Sequence, residues 1–190
     1  MKPISGFKSQ RSNAGFEKLP AGCYVAQIKM AWVEGQPPQQ FLILRVEITE
    51  GEYAGYYTKR WKHDQDNGGK YEPKYKGDFK LRVPDERNNY PESDQKRLED
   101  AMAKIEESNA GYHWDWNEAG LKDQYIGINV QPGEYNGIPF TRIGGLESVD
   151  DVRTGKAVPM KAREPRGDAY EPPIDQQSGF QQVNTDDLPF

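Results

Sequence analysis

The chain has one cysteine, two histidines and no apolar run that approaches the length of a membrane span. Cys23 alone cannot close an intramolecular disulfide, and Cys23, His63 and His113 are too scattered for a zinc signature, so neither a disulfide scaffold nor a structural metal is expected. No cofactor motif is present either. Apolar residues make up only 35% of the 190 positions against 29% charged, which leaves part of the chain without enough to bury. Met1-Lys2-Pro3-Ile4-Ser5-Gly6 lacks the apolar core of a secretory signal, and a cytoplasmic protein that meets no membrane is the expectation. An enzyme is not expected. His63 and His113 stand far apart, no nucleophile has a base in a recognisable order, and the acidic pairs Asp64/Asp66 and Asp150/Asp151 read as turn residues.

A net charge of −5 argues against a polyanionic partner until its distribution is followed. From Pro165 to Phe190 a single cation, Arg166, faces five carboxylates, so the rest of the chain is almost neutral. Tyr56 to Arg82 carries eight cations against four carboxylates, a basic stripe within an acidic protein.

What is present is strand periodicity. Leu42, Leu44, Val46 and Ile48 alternate with Arg45, Glu47 and Thr49, the two-residue period of a half-buried strand. Gly51-Glu52-Tyr53-Ala54-Gly55 then predicts a tight turn, and Tyr56 to Lys62 a return strand. Upstream, Leu19-Pro20-Ala21-Gly22 leads into a first strand from Cys23 to Val33, with Tyr24, Ala26, Ile28, Met30 and Trp32 on one face. Asp64 to Pro84 reads as a long polar excursion whose aromatics Tyr71, Tyr75 and Phe79 either tuck beneath it or stack on bases. Asp64-Gln65-Asp66-Asn67-Gly68-Gly69 begins like a calcium loop but fails it, because Tyr75 falls where the bidentate Glu belongs.

Pro91 to Asn109 predicts one helix, with Ser93 as cap and a stripe of Leu98, Ala101, Met102 and Ile105. Trp114 and Trp116 follow, as a stacking platform or as core. Gln124 to Gln131 and Ile138 to Ile143 complete five strands, joined by Gly133-Glu134-Tyr135-Asn136-Gly137, which repeats the earlier Gly-Glu-Tyr-x-Gly pattern and predicts a second hairpin of the same kind. Domains follow: an arm over 1–18, a body over 19–164, and a disordered acidic tail over 165–190.

The order strand-strand-strand-helix-strand-strand resembles an OB-fold, a five-stranded partly open barrel in the all-β to α+β range; another small β-barrel fits the same order. Single-strand binding needs phosphate-seeking cations beside rings that accept bases. Lys59, Arg60, Trp61, Lys62, Lys70, Tyr71, Lys74, Tyr75, Phe79, Lys80 and Arg82 offer both, although a merely solvated charged face fits the cations as well, and strand alternation sends Arg60 and Trp61 to opposite faces.

The chain ends Asn184-Thr185-Asp186-Asp187-Leu188-Pro189-Phe190, which resembles the acidic tip of bacterial single-stranded DNA-binding proteins. The paired Gly-Glu-Tyr-x-Gly motifs and the overall layout are more similar to phage-encoded members. The resemblance implies sequence-tolerant binding of single-stranded DNA in replication, recombination and repair. It also implies recruitment of partner enzymes through Asp186, Asp187, Leu188, Pro189 and Phe190, whose terminal ring and carboxylate suit a basic-rimmed apolar pocket. A recombination mediator or replication adaptor that binds nucleic acid only weakly is the rival expectation. Oligomeric state is left open, a homodimer included.

Overall fold

A computed structural model describes residues 16–67, 72–135 and 138–162. Five strands form an antiparallel sheet: β1 (Gly22–Glu34), β2 (Phe41–Ile48), β3 (Asp78–Arg82), β4 (Tyr125–Tyr135) and β5 (Ile138–Glu147), in the order β3-β2-β1-β4-β5. Helix α1 (Tyr56–Asn67) lies between β2 and β3, and α2 (Pro91–Ser108) and a 3-10 turn (Glu118–Leu121) between β3 and β4. The short α3 (Val149–Arg153) follows β5. The hydrogen-bonded sheet is open, with β3 and β5 as its edges. This is a small α+β domain.

Leu42, Leu44, Val46 and Ile48 of β2 and Ile126, Ile128 and Val130 of β4 are buried, and α2 lays Leu98, Ala101, Met102 and Ile105 into the same core. Each fully buried aliphatic side chain contributes about 1.5–3 kcal/mol, so this strip of α2 anchors the helix despite its polar outer face. The end of the expected arm meets the body: the Phe16 ring sits 5.3 Å from that of Tyr56, and Leu19, the first residue of the expected body, is buried.

Several expectations are corrected. Tyr56 to Lys62 is helical rather than a return strand. The reason is Glu47, which points from β2 beneath the first turn of α1 with only 6% of its surface exposed. Its Oε1 accepts the amide of Tyr57 at 3.0 Å, and its Oε2 accepts the amide of Thr58 at 2.7 Å and the Thr58 hydroxyl. Helix N-termini leave such amides unpaired and carry partial positive charge, so a carboxylate from another element caps α1 as an N-cap residue would.

The third strand is instead β3, inside the stretch expected to be a polar excursion; Phe79 and Leu81 pair opposite Leu44 and Leu42. Next, Lys29 is an extra residue in the β1–β2 ladder: Ile28 pairs with Val46, but Met30 pairs with Arg45. This bulge reverses the alternation. Met30 and Trp32 therefore lie on the face opposite Ala26 and Ile28, and Met30 is 51% exposed.

Finally, the two Gly-Glu-Tyr-x-Gly stretches differ. The first ends at Gly55, where φ is +76°, and turns into α1, whereas Gly133 to Tyr135 continue β4 opposite Phe140 to Ile138. Three helices and a 3-10 turn stand where one helix was expected. The tail, 165–190, lies outside the described residues, as do residues 1–15.

Candidate nucleic-acid interface

The bulge at Lys29 gives the face of β1, β2 and β3 opposite the core its character. Met30, Arg45 and Asp78 form one cross-strand row, Trp32, Ile43 and Lys80 the next, and Glu34, Phe41 and Arg82 a third. Directly opposed side chains on one face touch, so cations are interleaved with rings. The Arg45 guanidinium lies 5.1 Å from the centroid of Trp32 and 4.8 Å from that of Tyr75, and that of Arg82 lies 5.2 Å from Phe41. Asp78 holds Arg45 in a two-pronged ion pair at 2.7 and 2.8 Å, which raises the guanidinium pKa further and cancels its charge locally.

Against this face, α1 and the segment before β3 close a cavity of about 790 Å3, lined by Lys29, Arg45, Thr58, Trp61, Pro73, Lys74, Tyr75, Lys76, Asp78 and Lys80. Thr58 and Trp61 are three residues apart and so share a helix face. The Trp61 indole donates to the carbonyl of Pro73 at 3.2 Å, which orients the ring. Tyr75 is anchored as well: its hydroxyl donates to Glu47 at 3.0 Å. Burial, reinforced by the Glu47 charge, pushes its phenol above the ordinary range and keeps it a donor.

A second cavity, of about 460 Å3, is lined by Lys18, Leu19, Tyr56, Tyr57, Arg60, Lys76, Pro139, Phe140, Thr141 and Arg142. Lys76 lines both, so the two cavities meet at that side chain and are taken together as one trough. Its walls carry eight cations and one carboxylate, the Asp78 already matched by Arg45. The N-terminal segment forms part of the rim: Lys18 donates to the Pro139 carbonyl at 3.0 Å and Thr141 to that of Leu19 at 3.1 Å.

Of the residues singled out by sequence, Trp61, Lys74, Tyr75 and Lys80 meet in the first cavity and Arg60 lines the second. Arg60 and Trp61 are separated as adjacent helical positions rather than by strand alternation. Lys59 turns back to the Ala54 carbonyl at 2.8 Å, Lys62 is exposed on α1, and Arg82 lies against Phe41 at the end of the same sheet face. Phe79 packs against the core, on the other side of β3 from Lys80. Lys70, Tyr71 and Asp186 to Phe190 lie outside the described residues.

Sequence reading missed Lys18, Lys29, Trp32, Arg45, Lys76, Phe140 and Arg142. Lys76 sat within the basic stripe, but the others join the site only through cross-strand register or the packing of residues 16–19 on β5. Among the described residues no group of three or more His, Cys, Asp or Glu side chains is placed to hold a metal, and no helix is long and apolar enough to cross a membrane. A scan against protein-family models finds no match for this chain, and a search of curated proteins finds no significant relative.

Proposed function

We propose that the chain binds single-stranded DNA without regard to sequence, in the trough between the β1–β2–β3 face, α1 and β5. The observation that carries this reading is the trough's charge together with its rings. Phosphates meet Lys29, Lys74, Lys76 and Lys80, while Trp61 and Phe140 offer flat surfaces to unpaired bases. Each base stacked on a ring is worth about 1–3 kcal/mol and tolerates any sequence, since every base has a π face. The strand order supports an OB-like reading of the fold. β3-β2-β1-β4-β5 is the order of a Greek-key barrel opened between its third and fifth strands, and both of those edges line one further cavity of about 530 Å3. Under this reading Asp186 to Phe190, on the strength of their resemblance to the bacterial tip, recruit replication and recombination proteins.

The test is a salt titration of binding to fluorescent oligothymidylate, with Trp61→Ala and Lys76→Ala as variants. Log affinity falls linearly with log salt, with a slope of about −0.7 per phosphate neutralised; Lys76→Ala flattens that slope by nearly one contact. Trp61→Ala weakens binding about 5- to 150-fold. Affinity that ignores salt, or duplex bound more tightly than single strands, overturns the reading. Negligible binding in low salt with retained partner capture moves the chain to the adaptor class.

A further inference from the structure

A second concave surface, along the flank of α2 between the helix, Pro84 and the Trp114–Trp116 segment, has the opposite character. Leu98 and Met102, Pro84, and the indoles of Trp114 and Trp116 line a groove of about 530 Å3 whose only charged residues are Glu99 and Glu106. Trp116 is unusual on two counts. It is 74% exposed, and its φ of +67° is a conformation that bulky side chains rarely adopt. It nevertheless stacks on Trp114, ring centroids 4.6 Å apart at 34°. The backbone is held in this shape by Glu106, which accepts the Trp114 amide at 2.9 Å, and by Asp115, which accepts the Asn117 amide at 3.1 Å. Backbone outliers of this kind cluster at binding sites, and here the outlier carries an exposed ring at the edge of an apolar groove. The Trp114 Nε1, shut off from solvent, also has no acceptor among the described residues.

Charge decides what the groove takes. Glu92, Glu99 and Glu106 recur every seven residues, two turns of α2, and so form an acidic stripe with roughly 10 Å between neighbours. No cation lines the groove. A polyphosphate backbone is repelled there, and so is this chain's own end, with Asp186 and Asp187 beside its apolar residues. We infer that the groove docks an amphipathic helix of a partner protein, with aliphatic or aromatic anchors on one face and Lys or Arg flanking them in register with the acidic stripe. This inference goes beyond the proposed DNA binding and does not rest on it: the acidic groove and the basic trough are separate surfaces.

The probe is a fluorescein-labelled 16-residue helical peptide of Leu, Lys and Ala, with Leu at i, i+4, i+7 and i+11 and Lys on both flanks. Its control has Glu in place of every Lys. Binding to the full chain is read by anisotropy at 150 mM salt. The Lys peptide binds and the Glu peptide binds at least about tenfold more weakly. Trp116→Asn keeps the backbone, because Asn tolerates positive φ, and removes the ring; it weakens the Lys peptide at least about tenfold, as an anchor contact does. Glu99→Lys, on an exposed helix face, does the same without touching the fold. Because Trp116→Asn leaves every acidic residue in place, its effect separates the groove from attraction to the acidic tail. Oligothymidylate affinity stays within about twofold in both variants, as expected for separate surfaces. Equal binding of the two peptides, or binding that survives Trp116→Asn, overturns the inference. So does a loss of oligothymidylate affinity in Trp116→Asn, which assigns the ring to nucleic acid instead.

Discussion

Removing the carboxylate of Glu47 tests whether a residue on β2 is what makes α1 a helix. Five donors converge on this buried group: the amides of Ile48, Tyr57 and Thr58 and the hydroxyls of Thr58 and Tyr75. A hydrogen bond to a charged group contributes about 1.5–3 kcal/mol, and a charge at a helix N-terminus in a partly buried setting adds up to about 2 kcal/mol. Desolvation of the carboxylate offsets part of that sum, so the net is smaller than the total. Glu47→Ala strands buried donors and costs about 3–5 kcal/mol, a large share of the roughly 5–15 kcal/mol by which a domain is stable. Glu47→Gln conserves volume and one acceptor but turns an amide N–H toward other donors, and costs about 1–3 kcal/mol. Tyr75→Phe, which deletes one donor and leaves the helix amides capped, costs less than Glu47→Gln. Equilibrium urea unfolding followed by far-UV circular dichroism measures all three. If Glu47→Gln shifts stability by less than about 0.5 kcal/mol, the size of an ordinary surface substitution, α1 is not held by this cap and the account of its helicity fails.

Deleting Lys29 removes the bulge and returns Met30 to Glu34 to the alternation expected from sequence, driving Met30 and Trp32 toward the core side and Ala31 away from it. A loss of at least about 3 kcal/mol in thermal or urea melts is expected, against almost none for Lys29→Ala, and a mild deletion refutes the role given to the bulge. The Glu106 carboxyl is held below its ordinary value of 4.5, first by the Trp114 amide it accepts and further by His113 at 3.5 Å. Its contribution to the Trp114–Trp116 loop is therefore complete above pH 4.5 and is lost as pH falls through the lower value of the folded chain. Tryptophan fluorescence followed into acid shows a transition there that Glu106→Gln, whose amide oxygen still accepts, lacks; coincident curves in the two proteins overturn the assignment.

Where a segment's own residues determine its structure, the sequence was readable. The stripe Leu98, Ala101, Met102 and Ile105 is the buried face of α2, and the alternation in β2 and β4 places Leu44, Val46, Ile126 and Ile128 in the core. Tyr56-Tyr57-Thr58 is β-prone, and the residue that caps it as a helix sits ten positions upstream of Tyr57, where strand alternation gives it no special mark. The one local hint was the Arg60/Asp64 spacing, an i,i+4 pair 3.6 Å apart. Asp78 to Arg82 does alternate, but five residues are too few to stand out from a polar stretch. The bulge is invisible without the partner strand, and with it went the face on which Trp32 lies. The site was thus half legible: its cations and rings were countable in the basic stripe, but their grouping depends on register and on the packing of α1.

The trough's ring geometry is fixed before any ligand arrives. Trp61 is tied to Pro73, Tyr75 to Glu47, and Arg45 lies between Trp32 and Tyr75 with both prongs on Asp78. Arg45, although the best-placed cation by position, is thereby spent on holding rings, which makes it a poor phosphate ligand. The charge open to a polyanion belongs to Lys29, Lys74, Lys76 and Lys80, flexible point charges on the surface, of which Lys80 shares only a solvent-exposed pair with Glu34 at 3.4 Å. Rigid rings and mobile lysines divide the work in a way that suits a flexible polymer: stacking geometry is preorganised, so little entropy is lost at the bases, while the cations adjust to wherever the backbone runs. Such a surface reads neither base edges nor a fixed phosphate spacing. The proposed sequence tolerance rests on that arrangement of residues, and so on the Glu47 cap of α1, the helix that presents Trp61.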